Sequence, residues 1–127
     1  MILDDILQKL EEDTELKLLL NSTLNNTGIY LNKTDKSDSI TYRFINLSSD
    51  GIKEQNRLEI SCLSKGYLKA NEILEKVKSV LLTIGDEQFN NDVLEIALNG
   101  GGYLFDDDTK NHIVKAFFIV KNKYRRN

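Results

Sequence analysis

The hydrophobic pattern of the chain changes its period near Lys65, from that of a strand to that of a helix. Between Arg57 and Ser64 apolar and polar residues alternate, as in a strand with one buried face. Between Tyr67 and Thr83 apolar residues recur every three or four positions, as in an amphipathic helix. A strand and a helix with one apolar face each must bury those faces, so the pattern predicts a sheet covered by helices.

Helical spacing also marks the start of the chain. The apolar residues there are Ile2, Leu3, Ile6, Leu7 and Leu10. Asp13 or Thr14 is suited to cap a second short helix that ends at Leu20. This region is therefore predicted to form two helical segments with a break between them.

Further segments are rich in strand formers. They are residues 29–31, 40–47, 93–98, 103–105 and 112–120. Asp50-Gly51 predicts a tight turn before the strand that ends at Ser64. The glycines at 100–102 predict a bend or bulge before Tyr103. Because the loops between these strands are too short for a crossover helix, most of the pairing is predicted to be antiparallel.

The predicted order is α-β-β-β-α-β-β, in which the first helical element is the broken one. We expect an α+β two-layer sandwich, with a mainly antiparallel sheet and two amphipathic helices packed on one of its faces. A chain of 127 residues has the length of one domain. We predict that residues 1–120 form a single α+β domain and that residues 121–127 form a basic C-terminal tail.

The composition argues against several classes of function. One histidine and one cysteine cannot form a disulfide within the chain or a zinc cage of cysteines and histidines. Apolar runs are far shorter than the ~20 residues of a membrane span, and the acidic start at Asp4 and Asp5 is unlike a signal peptide. We expect an intracellular protein without a cofactor, a bound metal or a membrane contact. The net charge of −3 argues against general affinity for nucleic acid.

Charge is distributed unevenly between the two ends of the chain. Residues 1–15 contain six acids and one base, whereas residues 121–127 contain four bases and no acid. Two interpretations are open: both ends are solvated, or their opposite charges steer like subunits into head-to-tail contact.

Several features could carry chemistry but also have structural explanations. The acidic run 106–108 could hold Mg²⁺ or Ca²⁺, but it lacks the spacing of a calcium loop and is favoured as a solvated turn. His112 is expected at the surface or at a strand edge, and Cys62 in the core. The glycine triplet lacks a phosphate-loop pattern, so we expect a relaxed bend or a close approach of another backbone, within the chain or from a neighbouring copy. The segment 121–126 combines bases with Tyr124, as single-strand nucleic-acid binders do, but is favoured as a solubilising tail or as one ordered by a partner.

Four stretches of the chain carry a likeness to a known family. They are EDTELKLLL at 12–20, before Gly-Ile-Tyr at 28–30; ITYRFI at 40–45; RLEISCLSKGYLKANEILEKVKSVL at 57–81; and GGGYLFDDDTKNHIVKAFFIV at 100–120. In order and spacing they resemble the small tail-completion proteins of long-tailed bacteriophages and prophages, also called tail terminator or head–tail joining proteins. The resemblance covers Ile2 to Val120.

This resemblance implies a non-enzymatic structural protein that forms a ring, commonly a hexamer, at the head-proximal end of the tail tube. Such a ring ends tube polymerisation and offers a joining surface to the head. The implied partners are further copies of the chain, the tail tube protein, and head connector, neck or sheath-terminating proteins. The implied location is a virion or phage-tail-like particle assembled in the host bacterial cytoplasm.

Four alternatives stay open at this point, and one of them is an unrelated interaction protein of the same α+β type. A head-completion or neck connector protein has a similar size and a similar structural role. A small nucleic-acid-binding module would act through the basic tail, and a small metal-dependent enzyme would act through the acidic run 106–108.

A ring subunit uses two different surfaces for its two neighbours, and the contacts close by rotation. We expect these contacts on the acidic first helix, on the basic tail, and on the loops at 32–39 and 99–105. The predicted interface residues are Asp4, Asp5, Glu11, Glu12, Gly100, Gly101, Gly102, Tyr103, Asp106, Asp107, Lys121, Lys123, Arg125 and Arg126.

Overall fold

The computed structural model describes residues 2–84 and 87–124. Within them the elements are α1 (Ile2–Glu12), α2 (Thr14–Leu20), β1 (Ile29–Leu31), β2 (Ser39–Ser49), β3 (Lys53–Ser64), α3 (Tyr67–Leu81), β4 (Val93–Asp106) and β5 (Asn111–Lys123). The predicted α+β class and element order are confirmed, with the broken first element forming α1 and α2. The side chain of Asp13 caps α2, where its Oδ1 accepts a hydrogen bond of 2.9 Å from the Leu16 amide.

The five strands form one sheet in the order β1-β2-β3-β5-β4. Strand β1 is parallel to β2, and the other neighbours are antiparallel, which confirms a mainly antiparallel sheet. Asp50 closes the β2–β3 hairpin, because its Oδ1 accepts hydrogen bonds from the amides of Ile52 (2.8 Å) and Lys53 (2.7 Å).

The three helices cover one face of the sheet. Leu58 is paired with Phe118 and Cys62 with Val114, and all four side chains point into the core beneath the helices. Helix α3 adds its fully buried Ile73, Val77 and Leu81. The predicted core position of Cys62 is confirmed, and burial raises the pKa of its thiol far above the ordinary value. We call the opposite, helix-free side of the sheet the open face.

Strand β5 is longer than the sequence predicts, since it continues beyond Val120 to Lys123. The reason is a polar ladder on the helix side of the sheet. The fully buried Asn122 donates to Glu54 Oε1 (2.9 Å) and accepts from Asn56 Nδ2 (2.8 Å). Lys121 and Lys123 therefore lie in the sheet.

Other boundaries also differ from prediction: β2 spans Ser39–Ser49 where the sequence predicts 40–47, and the predicted segments 93–98 and 103–105 belong to one strand, Val93–Asp106. Helix α3 ends at Leu81, two residues before Thr83, and β3 begins at Lys53, four residues before Arg57. In the part of the chain given above, no helix has the length and apolarity needed to traverse a lipid bilayer.

Candidate functional site

The second half of β4 is an exposed edge of the sheet. Among residues 2–84 and 87–124, β5 is the only strand paired with β4. Near Ile96, Thr83 occupies the side of β4 that faces away from β5. The Thr83 amide donates to the Ile96 carbonyl (3.2 Å), and Thr83 Oγ1 accepts from the Ile96 amide (3.2 Å). From Leu98 to Phe105 every residue is exposed, including large apolar side chains. A long apolar edge strand invites pairing with another protein, and monomeric proteins usually avoid one.

Four aromatic side chains gather at this edge, and we call them the aromatic edge: Tyr67, Tyr103, Phe105 and His112. The register explains their meeting. Phe105 is paired with His112, and Tyr103 lies two residues from Phe105 on the same side of β4. Ser64, the last residue of β3, is paired with His112, so the first residue of α3, Tyr67, lies close to that ring.

The rings of the aromatic edge contact one another directly. Tyr103 Oη and His112 Nδ1 are 2.7 Å apart and share a hydrogen bond. The ring centroids of Phe105 and His112 are 4.9 Å apart, and those of Tyr67 and Tyr103 are 5.5 Å apart. Tyr67 and Tyr103 nevertheless keep 50% and 52% of their surface exposed. A firmly held, half-exposed group of rings is suited to bury area against a protein partner.

The glycine triplet creates the geometry of this edge. Leu98 is paired with Phe118 and Gly101 with Ala116, so β4 contains one extra residue in a bulge. Gly100 takes a φ of 107°, and a Cβ on Gly101 would lie 2.6 Å from the Lys115 carbonyl oxygen. The close backbone approach is therefore to β5 of the same chain. Because side chains alternate along a strand, the bulge also turns Tyr103 to the helix side.

The predicted turn after β4 uses the carboxylate of Asp106 internally. Its Oδ1 accepts from the Asp108 amide (3.0 Å) and its Oδ2 from Thr109 Oγ1 (2.9 Å). The hydrogen bond from Thr109 and that from the Asp108 amide hold the pKa of Asp106 below its ordinary value. Within residues 2–84 and 87–124, no three acidic, histidine or cysteine side chains are grouped so as to hold a metal ion.

We expect Asp106→Asn to destabilise the fold at neutral pH but not in acid. The lowered pKa means that ionised Asp106 stabilises the folded state above the ordinary pKa of 3.8, and that this contribution is lost as the pH falls through the folded value. Denaturant unfolding at pH 7 and in acid checks this, with Asp107→Asn as the matched control because it leaves both hydrogen bonds in place. An effect of Asp106→Asn that is equal at the two pH values would contradict the expectation.

Residues 90–92 lie between the acidic helix α1 and the basic end of β5. Asn90 Nδ2 donates to Asp5 Oδ2 (3.3 Å), and the carbonyl of Asp92 accepts from the Lys123 amide (2.8 Å). Residues 90–92 therefore contact both α1 and the end of β5. The acidic side chains of α1 lie in the helix layer, whereas Lys121 is paired with Gln55 and Glu95 on the open face.

The structure does not bring the predicted interface residues together as one site. One group lies along β4 and the turn that follows it, and it consists of the three glycines, Tyr103, Asp106 and Asp107. A second group lies on α1, and it consists of Asp4, Asp5, Glu11 and Glu12. Arg125 and Arg126 are outside the described residues. Tyr103 is among the predicted interface residues, whereas its neighbours Tyr67, Phe105 and His112 are not. The available signal was the spacing of Tyr103 and Phe105, which puts both on one side of a strand that ends close to His112.

Comparison with known proteins identifies a shared fold. No protein-family model and no curated protein matches the chain. Among solved structures, the chain is similar to one in a structure described as the virion of a native gene transfer agent (GTA) particle, with a TM-score of 0.68 and 12% sequence identity. The match covers 94% of this chain and 92% of the other. The two chains therefore have the same fold over nearly their whole lengths.

Proposed function

We propose that this chain is a structural protein of a phage-like particle, and that it forms a ring at the head-proximal end of the tail tube. The observation that carries the proposal is the fold shared with a chain of the gene transfer agent virion across 94% of this chain and 92% of the other. Because the match extends over both chains, it concerns the complete domain and not a common supersecondary motif. A shared fold alone does not fix a function, so the proposal also needs a suitable surface.

The aromatic edge is that surface. It is exposed, it borders an edge strand, and its rings are fixed by mutual contacts. Tyrosine and phenylalanine are enriched in the buried centres of protein interfaces. We assign this surface to the contact with the tail tube, where it would cover the last layer of tube subunits and prevent further addition.

The proposal is tested by polymerising the tail tube protein of the same particle with and without this chain. We expect tubes to stop growing when the chain is added, and each finished tube to carry it at one end only. Electron microscopy of tube lengths and of labelled chain measures both properties. Tubes of unchanged length at every ratio of the two proteins would contradict the proposal. Binding to the head connector without any effect on tubes would instead favour the head-completion role.

We expect Phe105→Ser to weaken this capping activity. The substitution removes a ring that is 42% exposed and packs on His112, and truncation of an interface aromatic commonly costs tenfold or more in affinity. About ten times more variant than wild type would then be needed to stop tube growth. Leu24→Ser is the matched control, because Leu24 is fully exposed in the loop between α2 and β1. If Phe105→Ser and Leu24→Ser stopped tube growth at the same concentration, the aromatic edge would not be part of the contact with the tube.

A further inference from the structure

The open face of the sheet is apolar at its centre. Cross-strand pairing joins Ala97, Ile119 and Arg57 in one row, and Glu59 and Phe117 in the next. Ile45 extends the first row on β2. The apolar side chains at the centre are half-buried, and they are Ala97, Ile119, Phe117 and Ile45. The segment 32–38 covers the far end of this face, where Ser37 Oγ donates to Asn111 Oδ1 (2.7 Å).

The sequence of β5 indicates that this face is covered in the assembled protein. Residues 116–120 are apolar without interruption, which is typical of a strand buried on both sides. In the part of the chain that the structure describes, helices cover only one side of the sheet. An antiparallel sheet with a solvated face would instead alternate apolar and polar residues.

Arg57 lies on an aromatic ring and is partly exposed, as arginine residues at the centres of protein interfaces often are. Its Cζ lies 4.4 Å from the centroid of the Phe117 ring, and its Nε lies 3.9 Å from Glu59 Oε2. The Nε atom is buried and has no hydrogen-bond partner among residues 2–84 and 87–124. The side chain as a whole keeps 38% of its exposure, so the guanidinium is held on the ring while part of it still faces outward. Arginine on an aromatic ring is a frequent interface anchor.

Basic side chains predominate on the open face. Its six basic residues, by their register, are Arg43, Lys53, Arg57, Lys115, Lys121 and Lys123. The acidic residues on the same side are Glu59, Glu95 and Asp106. The rim of the apolar centre therefore attracts an acidic partner.

The helix layer of the same chain has the opposite charge. The three helices and the cap Asp13 contain eight acidic and five basic side chains. Within this layer, Lys76 is paired with Asp13 and Glu15, and Lys78 with Glu75. The acidic excess lies on α1, where Asp4, Glu11 and Glu12 are exposed.

We propose that the open face binds helix α1 of a second copy of this chain, so that the subunits join front to back. This inference rests on the proposed ring, and it names the contact between ring subunits. Two unlike surfaces give a heterologous interface, which closes into a ring by rotation. The apolar centre supplies the buried area, and the basic rim faces the acidic helix. Contact between two open faces would instead bring two basic rims together.

The test uses two charge-reversal variants of the full chain. The sheet variant carries Lys115→Glu and Lys121→Glu, and the helix variant carries Glu11→Lys and Glu12→Lys. Each variant alone sets like charges against each other at every contact, so we expect at least a tenfold loss of ring formation at tube ends. A mixture of the two variants has opposite charges at both kinds of contact in an alternating ring, so ring formation is expected to return. One chain with all four substitutions is expected to assemble as well.

The outcomes separate this inference from the proposed function. If wild type caps tubes and either variant alone forms rings as well as wild type, the front-to-back contact is wrong while the capping function stands. If both variants fail and mixing does not restore rings, another partner occupies the open face, and the inference is again overturned. If wild type itself does not cap tubes, the proposed function fails. Particle mass in solution and ring counts at tube ends provide the readout.

Discussion

Replacing Phe118 by alanine is expected to lower the free energy of unfolding by about 3–5 kcal/mol. Phe118 is fully buried, and its register neighbours Leu58 and Leu98 lie on the same side of the sheet, beneath or beside the helices. Removing the ring leaves a cavity that the surrounding strands cannot fill. Since small domains have only about 5–15 kcal/mol of stability, the variant should unfold at much lower denaturant concentration than wild type.

The adjacent Phe117 is the matched control for this change. It points to the open face and is half-buried, so Phe117→Ala is expected to cost about 1 kcal/mol. The same substitution removes the ring beneath Arg57 and should therefore weaken assembly. Urea unfolding of both variants and a tube-capping assay measure the two effects. If Phe117→Ala and Phe118→Ala lowered the free energy of unfolding equally, the assignment of Phe118 to the core and of Phe117 to the open face would be contradicted.

Replacing Gly101 by alanine is expected to cost about 2–4 kcal/mol of stability. The added Cβ would lie 2.6 Å from the Lys115 carbonyl oxygen, which is backbone and cannot move without separating β4 from β5. If the strand loses the bulge in response, Tyr103 turns to the open face, because the one extra residue between Leu98 and Gly101 sets the side on which it lies. The aromatic edge should lose its capping activity even where the variant still folds.

Gly102 provides the control for the Gly101 substitution. A Cβ on Gly102 would meet no atom within 4 Å, so Gly102→Ala is expected to change stability by less than about 0.5 kcal/mol. Thermal unfolding and capping assays on the two variants test the comparison. If Gly101→Ala proved as stable as Gly102→Ala, the close approach of β4 and β5 would not exist in solution.

The elements that the sequence predicts well are those with one buried face. The alternation from Arg57 to Ser64 and the helical stripe that starts at Tyr67 each specify an element and its inner side, and Asp13 marks a helix start by its capping chemistry. The β2–β3 and β4–β5 hairpins follow from short loops, whereas the parallel β1–β2 pair and the β3–β5 pair do not. These sequence patterns are sufficient to predict the fold class, the order of the helices and strands, and most of the core residues.

The parts that the sequence did not predict depend on tertiary contacts. Asn122 is as buried as the core residues, but its burial depends on hydrogen bonds to Asn56 and Glu54, far away in sequence. The side on which Tyr103 lies depends on whether an extra residue is inserted between Leu98 and Gly101, and three consecutive glycines fit a bend as well as a bulge. The aromatic edge therefore could not be assembled from spacing alone.

The most direct test of the proposed ring is a count of the copies of this chain at the end of a tail tube. Tubes would be polymerised with the chain and imaged by cryo-electron microscopy, with averaging of the tube ends without imposed symmetry. We expect one closed ring of six copies, about 87 kDa from chains of 14.5 kDa, at a single end of each tube. Copies distributed along the tube wall, or tube ends without a ring, would contradict the account.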